Sequence, residues 1–421
     1  MKLRWLRSDV SSILAVGFLT QALTVLSGPL VARMLGPGGR GDLVMVTVIS
    51  VLSAHLASTS LTNGIASVVA RRQAAARDVL GRHARRWAVM FTLPGLASAA
   101  ATLLLLPNAP HLGLLIVETF LVTVLACWLN MLRAMAQGEH SVSRVNTTRI
   151  AFSGVYVVSV ALLFVVDRVG SAAYVLPCQL LAQVVALVMT FGALRPRDPG
   201  YRGADAGPEI YAFTRQAYVS SLGTTDLLGL DHLLVGLLLG SAPLGLYAVA
   251  VSTTTLGGIV VTGLSSTLLP RMSARTPEAA AEVMRRWFLA GLGVSVVIVI
   301  LVEVVIGPAL RILFGADFVP ATPAARILAV ASAMSGMRFL IAAAAQAQGS
   351  ARKASVVDLA AGAVLVTAVG FGASTWGIAG AALGVVLAQA VNCLALLSLI
   401  SWTGKAPSPE PDQRTSTTST L

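Results

Sequence analysis

Long apolar stretches follow one another along the chain, separated by short groups of charged residues or by Pro and Gly. A helix of about 20 residues crosses a hydrocarbon layer of about 30 Å, and these stretches reach that length. The pattern therefore predicts an all-α membrane protein with about twelve transmembrane helices. The predicted helices cover residues 10–35, 43–70, 87–106, 111–133, 147–167, 171–194, 213–240, 243–270, 287–307, 322–347, 354–375 and 377–400.

One phrase occurs in both halves of the chain. Residues 35–43 (LGPGGRGDL) align with residues 239–247 (LGSAPLGLY) at an offset of 204 residues, and the alignment pairs Gly36 with Gly240. A long apolar stretch precedes and follows each phrase. Because six predicted helices separate the two phrases, the repeat predicts two six-helix bundles related by a pseudo-twofold axis along the membrane normal.

The connection after the sixth predicted helix divides the chain. Residues 195–214 are rich in Pro, Gly and charge. We therefore expect a first six-helix bundle over residues 1–194, a cytoplasmic linker over 195–214 and a second six-helix bundle over 215–400. Residues 401–421 contain few apolar side chains, which predicts a disordered cytoplasmic tail.

Composition excludes a soluble protein. The 421 residues are 56% hydrophobic and 11% charged, with a mean hydropathy of +0.81, whereas about 25% of the residues in soluble domains are charged. The net charge of +12 does not indicate nucleic-acid binding, because the basic residues lie in short connections between apolar stretches. Of the 30 Lys and Arg residues, 24 fall in alternate connections. This bias predicts that those connections and both termini are cytoplasmic.

Motifs for catalysis are absent from the sequence. It contains no HExxH, P-loop or GxSxG motif and no long predicted outer loop, so we expect a polytopic, carrier-like protein with no catalytic site and no cofactor. Cys127, Cys178 and Cys393 lie within apolar stretches without a His cluster, which predicts buried thiols and no metal site. Without a nucleotide-binding module, transport would depend on an ion gradient, the membrane potential or consumption of the product.

Several phrases, spread in order over nearly the whole chain, resemble one family. They are VARMLGPGGRGDL, LNMLRAMAQGEHSVSRVN, LDHLLVGLLLGSAPLGLYAVAVS with LLPRM after it, IGPALRILFGADF and WGIAGAALGVVLAQ. By these phrases the chain resembles the polysaccharide-transporter (oligosaccharide flippase) branch of the multidrug/oligosaccharidyl-lipid/polysaccharide exporter superfamily.

The resemblance implies a fold and an activity. The implied fold is two six-helix bundles that face a central cavity, which opens alternately to either side of the membrane. The implied activity is the movement of polyprenyl-diphosphate-linked oligosaccharides from the inner to the outer leaflet of the bacterial plasma membrane. Implied partners are this lipid-linked glycan, membrane lipids and glycan-assembly enzymes, with no nucleic acid.

Three alternatives stay open at this point. One is a multidrug or small-solute exporter of the same superfamily. Another is an integral-membrane glycan polymerase or glycosyltransferase, against which the absence of a sizeable outer loop argues. The third is a membrane scaffold without transport activity, which would not explain charged residues at mid-depth.

Four charged residues within predicted helices are candidate site residues. Asp226 and Asp231 lie near the middle of the helix predicted over 213–240, where an ionised carboxylate is costly and therefore suggests function. Five residues apart, they point about 140° apart on a helix. Arg338 lies about 5 Å from the middle of its helix. Arg33 lies within one turn of a predicted outer end, where it either snorkels to the headgroups or lines the cavity.

We expect these four residues to contact the substrate, and Asp231 is also a candidate coupling-ion site. A guanidinium at the position of Arg338 suits phosphate oxygens. The structural alternative is a buried ion pair between Arg338 and one of the two aspartates. Four other charged residues lie nearer the helix ends and are expected at the membrane interface. They are Glu118, Glu303, Arg326 and Asp358.

Overall fold

The computed structural model describes residues 2–71, 75–139, 141–166, 170–194, 207–222, 229–254, 277–348 and 350–400. Within these ranges the chain is helical, with short turns and no strand. The helices are α1 (Lys2–Ala70), α2 (Ala76–Leu105), α3 (Leu112–Gly138), α4 (Val142–Val166), α5 (Leu176–Ala193), α6 (Gly207–Leu222), α7 (Leu230–Leu239), α8 (described over 241–254), α9 (Pro277–Ala309), α10 (Thr322–Ala347) and α11 (Ala351–Leu397).

Eight helical segments of the described chain are long and apolar enough to cross a membrane. Two of them contain a sharp interruption. α1 is interrupted at Gly36, and α11 at Trp376 and Gly377. The first two predicted helices are therefore the two parts of α1, and the last two are the two parts of α11. The protein is a multi-pass α-helical membrane protein.

The prediction of one regular helix over residues 213–240 is wrong. α7 begins only after Gly229, whose φ of 74° is left-handed, a conformation that glycine adopts without steric cost. The preceding helix, α6, starts at Gly207, inside the stretch that the sequence assigns to the linker. Apolar composition extends over the whole region, so the interruption leaves no mark on the hydropathy pattern.

The repeat predicted from the sequence has a counterpart in the backbone. Gly36 has φ 64° and ψ −178°, and Gly240 has φ 87° and ψ −175°. This region of backbone space is open essentially to glycine alone. The two glycines therefore make the same turn in the two halves of the chain.

We use two names for the ends of the molecule. The predicted outer end carries the turns at Gly36, Gly240 and Gly377, and the predicted inner end carries the connections between α1 and α2 and between α3 and α4. In the described chain, the buried apolar side chains form three clusters. The outer cluster surrounds the turns at the predicted outer end and includes residues of both halves, among them Val31, Leu43, Leu115, Leu244, Tyr247, Phe314 and Val369.

The other two clusters lie at the predicted inner end, and each stays within its own part of the chain. The first inner cluster draws its buried members from residues 54–210, and the second inner cluster draws them from residues 284–400. Van der Waals packing is a main source of association free energy between membrane helices. Among the described residues, the two halves share one core cluster at the predicted outer end, whereas the predicted inner end has two separate clusters, the first of which also includes Ile210 of α6.

Candidate functional site

The two halves meet at backbone distance at the predicted outer end. A Cβ atom on Gly41 would lie 1.7 Å from the carbonyl oxygen of Ser241, and one on Gly245 would lie 1.9 Å from that of Pro37. With the 204-residue offset of the repeat, Ser241 corresponds to Pro37 and Gly245 to Gly41. The contact is therefore made twice, by equivalent positions in the two halves. The Ser241 hydroxyl also donates a hydrogen bond to Asp42.

A polar cavity of about 230 Å³ lies in the first half, toward the predicted inner end. Its walls come from the second part of α1, from α3 and from α4. The lining residues are His55, Ser58, Thr59, Thr62, Asn63, Ala66, Asn130, Arg133, Ala134, Gln137 and Arg149. All of these side chains except the two alanines are polar or charged, which is unusual within apolar helices.

Hydroxyl groups in this cavity are occupied by their own helix. Ser58 donates to the carbonyl of Ala54 at 2.6 Å, and Thr59 donates to that of His55 at 2.8 Å. Their oxygens therefore remain as acceptors only. The cationic donors of the cavity are Arg133 and Arg149, which line the same space of about 230 Å³.

Asp231 lies at the start of α7 in a buried hydrogen-bonded group. The Tyr247 hydroxyl, which is fully buried, donates to Asp231 Oδ2 at 2.8 Å. His232 Nδ1 lies 3.0 Å from Asp231 Oδ1. α7 packs against the first half, because a Cβ on Gly236 would lie 2.6 Å from the Met45 side chain. The Asp231 carboxylate is thus held near the contact between the two halves.

Arg338 has a protein carboxylate as its partner, and that partner is Asp358. Arg338 Nη1 donates to Asp358 Oδ1 at 3.0 Å, and Asn392 Nδ2 donates to the same oxygen at 3.0 Å. Asp231, one of the two aspartates considered as partners of Arg338, is instead bound to His232 and Tyr247. The group joins α10 to both parts of α11, so Arg338 forms its ion pair within the second half, with Asp358 as the carboxylate.

Arg33, a third candidate, contacts the main chain of the other half. Arg33 is exposed on α1 and donates a hydrogen bond to the carbonyl of Ile312, at the predicted outer end of the second half. It therefore links the two halves rather than reaching freely into the headgroup layer. Asp226 lies outside the described residues.

Two of the four residues expected at the membrane interface are directed into the protein. Glu118 is only 3% exposed, and the side chain of Asp358 is 20% exposed and paired with Arg338. Glu303 and Arg326 are about half exposed and form an ion pair with each other at 3.3 Å. Position along a helix does not report the direction in which a side chain points, so the sequence did not indicate the burial of Glu118 and Asp358.

No metal site is present in the described part of the chain, where no group of three or more His, Cys, Asp or Glu side chains is close enough to hold an ion. All three cysteines are buried free thiols, as the sequence predicts.

Comparison with known families gives a match. The family model described as "Polysaccharide biosynthesis protein" matches residues 6–275, which is more than half of the chain. The protein belongs to this polysaccharide biosynthesis family. The match includes the contact between the halves, the polar cavity and Asp231. Comparison with curated protein sequences gives no match.

Solved structures with the same fold are transporters. The lipid II flippase MurJ in an inward closed conformation has a TM-score of 0.70 at 10% identity, covering 91% of this chain and 86% of MurJ. The MATE multidrug transporter DinF-BH has a TM-score of 0.64 at 14% identity, with 94% of each chain covered. An inward-facing multidrug resistance MATE transporter of the MOP superfamily has a TM-score of 0.62 at 15% identity, covering 92% of this chain and 98% of that one. This member of the polysaccharide biosynthesis family therefore has the MATE and MurJ fold.

Sequence reasoning did not identify the polar cavity. In the sequence, Arg133 and Arg149 are two of the 24 basic residues whose positions indicate membrane orientation. A signal was nevertheless present, because His55, Thr59 and Thr62 recur at helical spacing on one face of an apolar helix. The α3 and α4 residues that complete the cavity meet this face of α1 only in the folded protein.

Proposed function

We propose that the protein is a flippase that moves a polyprenyl-diphosphate-linked oligosaccharide, or another cell-envelope glycan precursor, across the plasma membrane of a bacterium. Its working parts are the two bundles over residues 1–194 and 215–400, joined by the linker over 195–214. The cavity between them opens alternately to the two sides. Family membership and the shared fold support this assignment.

The observation that carries the proposal is the division of the apolar core. In the described part of the chain, residues of both halves share one cluster at the predicted outer end, whereas two separate clusters lie at the predicted inner end. This packing of the described residues supports a state that is closed at the predicted outer end. An equivalent state that is closed on the opposite side requires only that the outer contact at Gly41 and Gly245 opens and the inner ends approach.

The proposed substrate needs a protein route because its headgroup is ionised. A sugar–diphosphate headgroup cannot cross the hydrocarbon layer unaided, because ionised groups lose their hydration there. A polar route between the bundles lowers that barrier, while the polyprenyl tail stays in the lipid. We propose membrane lipids and glycan-assembly enzymes as further partners. Both termini, including the tail over 401–421, are proposed to be cytoplasmic.

Asp231 is our proposal for the coupling-ion site. Its carboxylate is held by Tyr247 and His232 beside the first half, so a change in its charge would act directly on the contact between the bundles. Arg33, Asp226 and Arg338 remain proposed substrate contacts, with Arg338 the weakest of the three because Asp358 already neutralises it.

The direct test is reconstitution. The purified full chain in proteoliposomes is given a fluorescent lipid-linked oligosaccharide, and a membrane-impermeant quencher reports the fraction in each leaflet. We expect exchange of the labelled lipid to depend on the protein and to be slowed by an unlabelled lipid-linked glycan. Transport of a cationic dye without any exchange of the lipid would instead support the exporter alternative. Appearance of longer glycan chains would support the polymerase alternative.

A further inference from the structure

The polar cavity of the first half contains positive charge without a carboxylate. Its lining includes Arg133 and Arg149 but no Asp or Glu. Neither arginine forms an ion pair with any described residue, and Arg133 Nε is buried without a hydrogen-bond partner in the same part of the chain. Two neighbouring cations within a membrane protein repel each other, and an anion between them removes that repulsion.

The geometry of the donors also suits an anion. Guanidinium groups present planar sets of N–H donors that match two phosphate oxygens at once. The amides of Asn63 and Gln137 line the same space, while the hydroxyls of Ser58 and Thr59 donate to their own helix. The donors available to a ligand are therefore mainly cationic.

Size and depth restrict the ligand further. Pockets for whole drug-sized molecules have volumes of about 300–1,000 Å³, whereas this cavity has about 230 Å³. It suits one small anionic group rather than an entire glycolipid. Along the second part of α1, the lining extends from Ala66 to His55, which lies about 22 Å from the helix end at Ala70. The cavity thus reaches from the predicted inner end to mid-depth.

We propose that this cavity binds the phosphate or diphosphate group of the transported lipid on the predicted inner side, with Arg133 and Arg149 as its ligands. This inference rests on the proposed function, because it assigns the headgroup of that substrate to a place in the first half. The glycan and the tail remain outside the cavity. The Arg338 group of the second half, already neutralised by Asp358, has no part in this step.

The test measures binding to the full chain in nanodiscs by isothermal titration calorimetry. The probes are farnesyl diphosphate, inorganic pyrophosphate and farnesol, so that the lipid-linked anion, the free anion and the lipid alone are separated. We expect farnesyl diphosphate and pyrophosphate to bind and farnesol not to bind. Arg133→Gln and Arg149→Gln should each weaken diphosphate binding at least about tenfold, or about 1.4 kcal/mol. Arg133→Lys should retain part of the affinity, since the charge stays and the planar donor set is lost.

The matched control is Arg352→Gln, which removes an exposed cation at the start of α11 in the other half. It should bind as the unmodified protein does, and all variants should keep the same elution volume and unfolding temperature. Diphosphate binding that is unchanged in the Arg133→Gln/Arg149→Gln double variant, or absent from the unmodified protein, would overturn the inference.

The flipping assay separates this inference from the proposed function. If the unmodified protein exchanges the lipid and the double variant does so at the same rate, the cavity is not the headgroup site and the function stands. If no lipid is exchanged while pyrophosphate binding still depends on both arginines, the anion site stands and the flippase function fails.

Discussion

Arg338 donates to Asp358 across 3.0 Å, and the two residues lie on different helices, α10 and α11. The side chain of Arg338 is 6% exposed and that of Asp358 is 20% exposed. Asn392, on the second part of α11, donates to the same carboxylate oxygen. One carboxylate therefore joins three helical segments of the second half.

From this ion pair we expect that the loss of stability caused by substituting Arg338 is partly reversed by a second substitution at Asp358. Removing one partner of a buried ion pair leaves an uncompensated charge and destabilises by roughly 3–5 kcal/mol, so Arg338→Gln should lower the unfolding temperature of the purified protein. Asp358→Asn in the same chain should restore part of the loss. Arg311→Gln, at an exposed cation, is the control and should have no effect. If the double variant were no more stable than Arg338→Gln alone, the pair would not be the reason for the loss.

Substitution of a glycine at the contact between the halves should make buried residues at the predicted outer end more accessible to solvent. A methyl group on Gly41 would overlap the carbonyl oxygen of Ser241, so Gly41→Ala should force the predicted outer end apart. Overpacking costs about 1–3 kcal/mol, which corresponds to an increase of about 5- to 150-fold in the population of molecules that are open at this end. The measurement is maleimide labelling of a cysteine at Leu43, which is 3% exposed, in a chain without native cysteines.

The control for this experiment is Gly38→Ala, because nothing lies within 4 Å of a Cβ at Gly38. Gly245→Ala should behave like Gly41→Ala, since the two positions are equivalent in the repeat. Equal labelling rates in all three variants would mean that the close contact does not hold this end closed.

The close contact between the two parts of α11 leads to a second prediction for a glycine substitution, which concerns only the stability of the protein. A Cβ on Gly372 would lie 2.1 Å from the carbonyl oxygen of Gly380. Gly372→Ala should therefore destabilise the second half by about 1–3 kcal/mol. Gly370→Ala, two residues away with nothing within 4 Å, should be neutral or slightly stabilising because alanine favours helix. The comparison is made by thermal unfolding, and a loss of stability at both positions would refute the packing argument.

Substitution of Asp231 should change transport without changing the folding of the protein. If its carboxylate binds the coupling ion, Asp231→Asn should insert normally and lose the dependence of lipid exchange on a proton or sodium gradient. Asp317→Asn, at an exposed carboxylate near the predicted outer end, should keep that dependence. Gradient-dependent exchange that persists in Asp231→Asn would leave the Tyr247 hydrogen bond as a packing interaction.

The distribution of Lys and Arg predicts the orientation. A single cysteine at Ala242 should react with an impermeant reagent from outside the cell. Cysteines at Arg82 and at Gly203, which lies outside the described residues, should react only after the membrane is opened. Labelling of Gly203 from outside would exclude the arrangement of two bundles around a cytoplasmic linker.

The sequence by itself determined the membrane class and the repeat. Membrane insertion depends on the apolar composition of a stretch of about 20 residues. This composition can be calculated along the chain without knowledge of the contacts between residues. The repeat that pairs Gly36 with Gly240 was equally readable, because the phrase around each glycine recurs at an offset of 204 residues. Family membership followed from phrases that retain their order.

Only the tertiary structure decided which charges meet. Glu118 and Asp358 lie toward helix ends in the sequence yet face the protein interior, because the rotation of each helix about its axis depends on its neighbours. The same is true of Arg133 and Arg149, which reach one cavity from separate helices. The interruption at Gly229 lies within continuous apolar sequence. In a hydrophobic helix nearly every face is compatible with lipid, so packing between helices, and not hydropathy, selects the faces that turn inward.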